Sequence, residues 1–122
     1  MKNIGVVIPA CNEEDYIERC LTALQNAERH FQKQWFDLKD PPPCIHICVV
    51  LDSCQDHTAY KIQKFNVDGI ECFFRCVGQS RDLGIQHLIE IGCDWICSTD
   101  ADSCVDLNWF NTLYQLQHAD VI

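Results

Sequence analysis

Short runs of apolar residues recur along the chain, separated by stretches in which apolar residues return every three or four positions. Five nearly continuous runs, rich in Val and Ile, predict strands buried on both faces. They cover residues 4–8, 45–51, 70–76 and 94–99, with a last run starting at Asp120. The helical spacing falls between them, in residues 13–30, 56–65, 79–91 and 107–118.

The first helical segment has the clearest amphipathic pattern, a single stripe formed by Ile17, Cys20, Leu21, Leu24 and Phe31. Strand and helix alternate without an internal sequence repeat, which predicts an α/β fold with a mainly parallel sheet. Right-handed crossovers would place helices on both faces of that sheet. Residues 1–122 predict a single domain. Because the run at Asp120 opens a strand, we expect the domain to continue past Ile122.

The net charge and the hydropathy of the chain exclude some classes of binding partner. The chain has 18 acidic residues against 9 Lys and Arg, a net charge of −9. A phosphate-backbone binder needs a basic face, so we expect no nucleic-acid partner, and the same charge disfavours docking on an anionic membrane. No apolar stretch suits a signal peptide or a transmembrane segment. The sequence therefore predicts a cytoplasmic protein.

Ten cysteines in 122 residues are many for such a protein. Three pairs, Cys44/Cys48, Cys72/Cys76 and Cys93/Cys97, have a spacing that zinc sites also use. The pairs fall along predicted strands, however, where a cysteine behaves as a small buried hydrophobe. We therefore favour reduced structural thiols over zinc.

Polar residues follow four of the predicted strands. They are residues 9–14, 52–56, 78–82 and 100–103. In an open parallel sheet, ligands bind beyond the carboxyl ends of the strands, so these segments predict one shared site. None has the glycine-rich pattern of a dinucleotide fold or a P-loop, which disfavours a dehydrogenase and a P-loop kinase. Carboxylates with a single Arg suit a nucleotide whose diphosphate is held through Mn²⁺ or Mg²⁺.

Structural explanations compete with these roles. Asp100 and Asp102 could shape a turn or cap the last helix, and in a turn their side chains could face apart. Asp56 is interpreted as a turn and N-cap residue, and Arg81 could be solvated. We expect the pair Phe73–Phe74, with Trp95 and Trp109, to pack in the core instead of stacking on a sugar.

Four motifs, in order, resemble family-2 glycosyltransferases. Val7-Ile8-Pro9-Ala10-x-Asn12-Glu13-Glu14 looks like the opening motif, and Val50-Leu51-Asp52-x-Cys54-x-Asp56 is similar to the second-strand segment. Gly78-x-Ser80-Arg81-Asp82-x-Gly84 resembles an Ala-Arg-Asn-x-Gly stretch, with Asp82 in place of Asn. Thr99-Asp100-Ala101-Asp102-Ser103 resembles the Asp-x-Asp motif. The set covers nearly the whole chain.

The resemblance implies a glycosyltransferase A-type, Rossmann-like half-domain that binds a nucleoside diphosphosugar. It assigns Pro9, Ala10, Asn12 and Glu13 to the nucleotide pocket and Asp52 to the base. It places Arg81 near the base or the phosphates and Asp100, with Ala101, on the ribose side. Asp102 is the expected ligand of the divalent metal, Mn²⁺ or Mg²⁺.

The implied activity is metal-assisted, inverting transfer of a sugar from a UDP- or GDP-sugar to an unknown acceptor. No general base can be named, because the family carries it in the acceptor half, which the resemblance puts beyond Ile122. A non-catalytic nucleotide-sugar-binding or interaction module is the alternative. A nucleotidyltransferase is disfavoured, since Pro9-Ala-Cys-Asn-Glu13 lacks the glycine-rich basic loop expected after the first strand.

Overall fold

The computed structural model describes residues 2–35 and 41–116. Within them, four strands and four helices alternate: β1 Asn3–Ala10, α1 Ile17–Lys33, β2 Cys44–Asp52, α2 Thr58–Lys61, β3 Asp68–Cys72, α3 Val77–Glu90, β4 Trp95–Ser98 and α4 Trp109–Leu116. A 3₁₀ turn, Ile62–Lys64, extends α2. The predicted fifth strand and the end of the last predicted helix lie outside the described residues.

All strand pairs are parallel, and the sheet order is β3-β2-β1-β4. The chain moves from β1 outward through β2 to β3, and then crosses back to place β4 on the other side of β1. The loops leaving β1 and β4 therefore diverge, which opens a crevice at the carboxyl ends of these two strands. The predicted parallel α/β architecture is confirmed.

The core lies on both faces of the sheet because successive strand residues point to opposite sides. On one face, Ile4, Val6 and Ile8 of β1 pack with the buried stripe of α1 and with Phe110 of α4. Val7, Cys48 and Val50 face the other way and pack against Leu88 of α3. The predicted stripe of α1 is fully buried, as expected: Ile17, Cys20, Leu21, Leu24 and Phe31.

Two element boundaries differ from the predicted ones by four residues. Helix α1 begins at Ile17 and not at Glu13. In the turns ahead of it, the N–H of Glu13 donates to Thr58, the first residue of α2, and the N–H of Glu14 donates to Asp56 in the loop after β2. Strand β3 ends at Cys72 and not at residue 76, because the next segment turns into α3. The expectation that Phe73 and Phe74 are core residues is wrong, since their exposed fractions are 80% and 46%.

The ten cysteines are free thiols in the described structure. Cys20, Cys48 and Cys72 are buried, which agrees with a packing role for these three. Burial raises the pKa of Cys20, Cys48 and Cys97 to about 12, so these thiols stay protonated at neutral pH.

Candidate nucleotide-binding cleft

A cleft of about 660 Å³ opens at the carboxyl edge of the sheet. The last residues of β1 and β2, the segments after all four strands and the first turn of α3 supply its walls. The lining residues are Pro9, Ala10, Cys11, Asn12, Glu13, Asp52, Ser53, Gln55, Arg75, Cys76, Val77, Ser80, Asp100, Ala101 and Asp102. The structure thus brings together eight of the nine residues assigned from the sequence; Arg81 is not among them.

The loops after β1 and β2 are joined by side-chain hydrogen bonds. Asn12 adopts the left-handed conformation (φ 53°), which Asn tolerates better than most residues, and its Oδ1 accepts the N–H of Gln55 at 2.7 Å. In return, the N–H of Glu13 donates to Thr58 Oγ1 at 2.9 Å, and the N–H of Glu14 donates to Asp56 Oδ2 at 3.1 Å. One wall of the cleft is therefore fixed by bonds between residues more than forty positions apart.

Glu14 and Asp56 serve this junction and do not line the cleft. The Glu14 carboxylate accepts the N–H of His57 at 3.2 Å, and its backbone carbonyl accepts Lys61 Nζ at 2.8 Å. Burial of Asp56 acts to raise the pKa of its carboxyl, but hydrogen bonds from Thr58 and Glu14 outweigh it and lower the pKa. These contacts support the structural role that the sequence favoured for Asp56 and give Glu14 a structural role as well.

The Asp52 carboxylate joins β2 to the beginning of α3. Its Oδ1 accepts the N–H of Arg75 at 2.9 Å and Ser53 Oγ at 3.0 Å. Its Oδ2 accepts the N–H of Cys76 at 2.9 Å and Ser80 Oγ at 2.8 Å. Burial alone would raise the pKa of Asp52, but these four donors hold it well below its usual range. A carboxylate has about four acceptor positions, so protein donors occupy all of them.

The segment after β4 presents two aspartates to the cleft. Ala101 is buried in the core, whereas Asp100 and Asp102 on either side of it are exposed and line the cleft. Within residues 2–35 and 41–116, neither carboxylate accepts a hydrogen bond. The residue at the start of α4 is instead Asp106, whose Oδ2 accepts the N–H of Asn108 at 3.0 Å. Capping of α4 therefore does not account for Asp100 or Asp102.

Acidic groups dominate this end of the cleft. Partial burial, followed by the charges of Asp102, Asp56 and Asp100, raises the pKa of the Glu13 carboxyl. In the part of the chain that the structure describes, no three His, Cys, Asp or Glu side chains converge as a metal site. The available donors are two exposed carboxylates with free acceptor positions, which suit a hard divalent cation whose other ligands come from a bound diphosphate.

Two arginines near the cleft, Arg81 and Arg75, differ in position from what the sequence led us to expect: Arg81 does not line the cleft and Arg75 does. Arg81 lies on α3, and its Nε donates to Ser98 Oγ at the end of β4, at 3.2 Å. Arg75, which the sequence assigned to a strand, lines the cleft just ahead of α3. It adopts the left-handed conformation (φ 52°), and its N–H is bound by Asp52.

Further lining residues were not predicted as site residues. Cys76 follows Arg75 just ahead of α3, Val77 and Ser80 lie in the first turn of that helix, and Cys11, Ser53 and Gln55 lie in the loops after β1 and β2. Ser80 was inside a quoted motif and could have been proposed from it. Arg75 carried no such signal, because it lay within an apolar run.

Comparison with known proteins identifies one sequence family and several solved structures with a similar fold. The sequence model of Glycosyl transferase family 2 matches residues 5–121. S. aureus TarS 1-349 in complex with UDP superposes with a TM-score of 0.71 at 20% identity, covering 96% of this chain and 32% of TarS 1-349. For TarS 1-349 without a named ligand, the TM-score is 0.70 at 19% identity, with 95% and 32% covered.

A second solved relative is glucosyl-3-phosphoglycerate synthase from Mycobacterium tuberculosis, in complex with Mn²⁺, UDP and glucosyl-3-phosphoglycerate. Its TM-score is 0.63 at 16% identity, covering 95% of this chain and 39% of the synthase. The chain therefore spans about a third of the length of TarS 1-349 and 39% of the length of the synthase. No curated protein sequence matches it significantly. None of the described helices is long and apolar enough to cross a bilayer.

Proposed function

The chain belongs to glycosyl transferase family 2, and from that membership we propose that it forms the donor-binding part of a metal-assisted, inverting glycosyltransferase. The donor is a nucleoside diphosphosugar of the UDP or GDP type, and the acceptor is not identified. One observation carries the proposal: Asp100 and Asp102 open into the cleft at the switch in strand order, with no protein partner among the described residues. Exposed carboxylates that the fold does not use are available to a ligand.

The proposed donor contacts follow from the order of the lining residues. Pro9 and Ala10 at the end of β1, with Asn12 and Glu13 after it, form the wall against which the nucleotide rests. Asp100 is on the ribose side, next to Ala101, whose buried methyl group anchors the segment in the core. The UDP named with both structural relatives is consistent with such a ligand.

Asp102 is the proposed metal ligand. A divalent cation at this position would neutralise charge that develops on the leaving diphosphate. The negative charge around Glu13 supports a cation requirement, because it would otherwise repel the phosphates. The Mn²⁺ named with the mycobacterial synthase agrees with that chemistry.

For Asp52 and Arg81 we propose indirect roles in place of the ligand contacts that the resemblance implies. Because all four acceptor positions of Asp52 are used within the protein, its part in base binding is to fix the beginning of α3. Arg81 bonds Ser98, two residues before Asp100, so we place it beside the segment that carries the aspartates. A contact between Arg81 and the phosphates requires its side chain to leave Ser98.

Isothermal titration of UDP and GDP, with and without Mn²⁺, tests the proposal. We expect binding of at least one nucleotide that strengthens with Mn²⁺, and loss of that metal effect in Asp102→Asn. Asp106→Asn is the matched control, since its carboxylate serves the start of α4 and does not line the cleft. Metal-independent binding, or no binding of either nucleotide, would contradict the proposal.

A further inference from the structure

The two ends of the cleft differ in charge. Glu13, Asp100 and Asp102 form an acidic end beside β1 and β4. At the other end, Arg75 and Val77 follow β3, next to the end of β2. Among the described residues that line the cleft, Arg75 is the one Lys or Arg. A nucleotide in the cleft therefore meets carboxylates at one end and a guanidinium at the other.

Strand order sets the separation between these ends. In the order β3-β2-β1-β4, three strand spacings of about 4.8 Å separate β3 from β4, roughly 14 Å in all. A diphosphate held through a metal at Asp102 lies at the β4 end. The nucleoside then extends along the sheet edge toward β2 and β3, which brings its base to Arg75.

At this end of the cleft, Arg75 carries the side chain that only donates hydrogen bonds. Asp52 has no acceptor position left, since its oxygens receive Arg75 N–H, Cys76 N–H and the hydroxyls of Ser53 and Ser80. A guanidinium carries five N–H donors and no acceptor. Gln55 offers both a donor and an acceptor and does not discriminate.

The backbone of Arg75 is fixed at the place where its side chain is needed. Its left-handed conformation (φ 52°) and the bond from its N–H to Asp52 set the direction of the chain between β3 and α3. Val77, exposed by 59%, adds an apolar surface to the same end of the cleft. An apolar surface next to a charged donor is suited to the flat face and polar edge of a base.

We infer that Arg75 selects the base of the donor, favouring one with a keto oxygen at its polar edge, uracil or guanine, over its amino counterpart, cytosine or adenine. The inference rests on the proposed function and adds the specificity-determining residue. A guanidinium donates to a keto oxygen, whereas an exocyclic amino group at the same position presents a second donor and leaves the contact unmade.

The test compares the affinities of UDP, CDP, GDP and ADP with Mn²⁺ for the wild-type chain, Arg75→Met and Arg29→Met. Arg29→Met is the matched control, an exposed arginine of α1 that does not line the cleft. Circular dichroism melts establish that each variant is folded. Arg75→Met leaves the backbone N–H that Asp52 binds in place.

For the wild type we expect a keto nucleotide to bind at least about tenfold more tightly than its amino counterpart. In Arg75→Met that ratio should fall to about threefold or less through weaker binding of the keto nucleotide, while Arg29→Met keeps it. An unchanged ratio in folded Arg75→Met, or a wild type without keto preference, would overturn the inference and leave the proposed function intact. A wild type that binds none of the four would overturn both.

Discussion

Gly84 marks the closest approach of α3 to the sheet, and a single added methyl group there gives a sharp test of the packing. A Cβ at residue 84 would lie 2.3 Å from Val7 Cγ2 and 2.8 Å from Val50 Cγ2. Both valines are fully buried, and their strands, β1 and β2, are paired with each other. Their β-branched side chains have little rotamer freedom, so the helix or the sheet must shift.

Two opposing effects set the size of the change in stability. Overpacking a well-packed core costs about 1–3 kcal/mol, and two contacts under 3 Å with stiff side chains place Gly84→Ala at the upper end. Replacing Gly by Ala within a helix gains about 1 kcal/mol. We therefore expect a net loss of about 2 kcal/mol in the free energy of unfolding. For a chain of this size that is a fall in Tm of roughly 8 °C.

Gly78→Ala is the matched control, because the same substitution is made in the same helix. A Cβ at residue 78 would meet one atom, Cys76 Sγ at 4.0 Å, which is an ordinary contact. Its expected effect is neutral to about 1 kcal/mol stabilising. Urea unfolding under reducing conditions measures both variants. If Gly84→Ala proved as stable as Gly78→Ala, α3 would not lie against β1 and β2 as described.

Three further predictions concern the titration of Asp52, the reactivity of the cysteines and their protection by a ligand. The pKa of Asp52 is lower in the folded protein than in the unfolded chain, where it is about 4. The hydrogen bonds of its carboxylate therefore stabilise the fold above about pH 4, and this contribution is lost as the pH falls toward the folded-state pKa. The stability difference between wild type and Asp52→Asn should therefore shrink below about pH 4, and a difference independent of pH would contradict the carboxylate network. Iodoacetamide at about pH 8 should spare Cys20 in the native protein, because burial raises its pKa to about 12, and should label the exposed thiols first. UDP with Mn²⁺ should slow labelling of Cys11 and Cys76, which line the cleft, but not of Cys44; mass spectrometry of the peptides reports each rate.

The sequence was sufficient for features that depend on local periodicity. Apolar runs located the four described strands, and the three-and-four spacing located the stripe of α1 that is buried. Asp100 and Asp102 do not follow from this periodicity, because β4 ends at Ser98 and residues 100–103 form a turn in which the N–H of Ser103 donates to the carbonyl of Asp100 at 3.0 Å. The alternative that these aspartates shape a turn therefore describes their backbone, while their carboxylates stay open to the cleft.

Features that depend on distant partners could not be predicted. Residues 70–76 have the composition of a strand, yet β3 ends at Cys72 because Asp52, more than twenty positions earlier, binds the N–H groups of Arg75 and Cys76. Tertiary contacts of this kind override strand propensity. The same turn leaves Phe73 exposed and moves Arg75 to the cleft, so the error in the strand boundary concealed a lining residue.

The central claim is that a nucleotide and a divalent metal bind together in this cleft. Locating bound UDP and the metal by NMR tests that claim most directly. Assigned ¹H–¹⁵N spectra of the chain should be recorded with UDP and Mg²⁺, and again after Mn²⁺ replaces Mg²⁺. We predict shifts at Asn12, Glu13 and Ser80, and paramagnetic broadening around Asp100 and Asp102 that requires UDP. Amides at the opposite edge of the sheet, such as Asn3 and Asp94, should stay unchanged. Broadening at that opposite edge, or none near Asp102, would contradict a metal-assisted nucleotide site in this cleft.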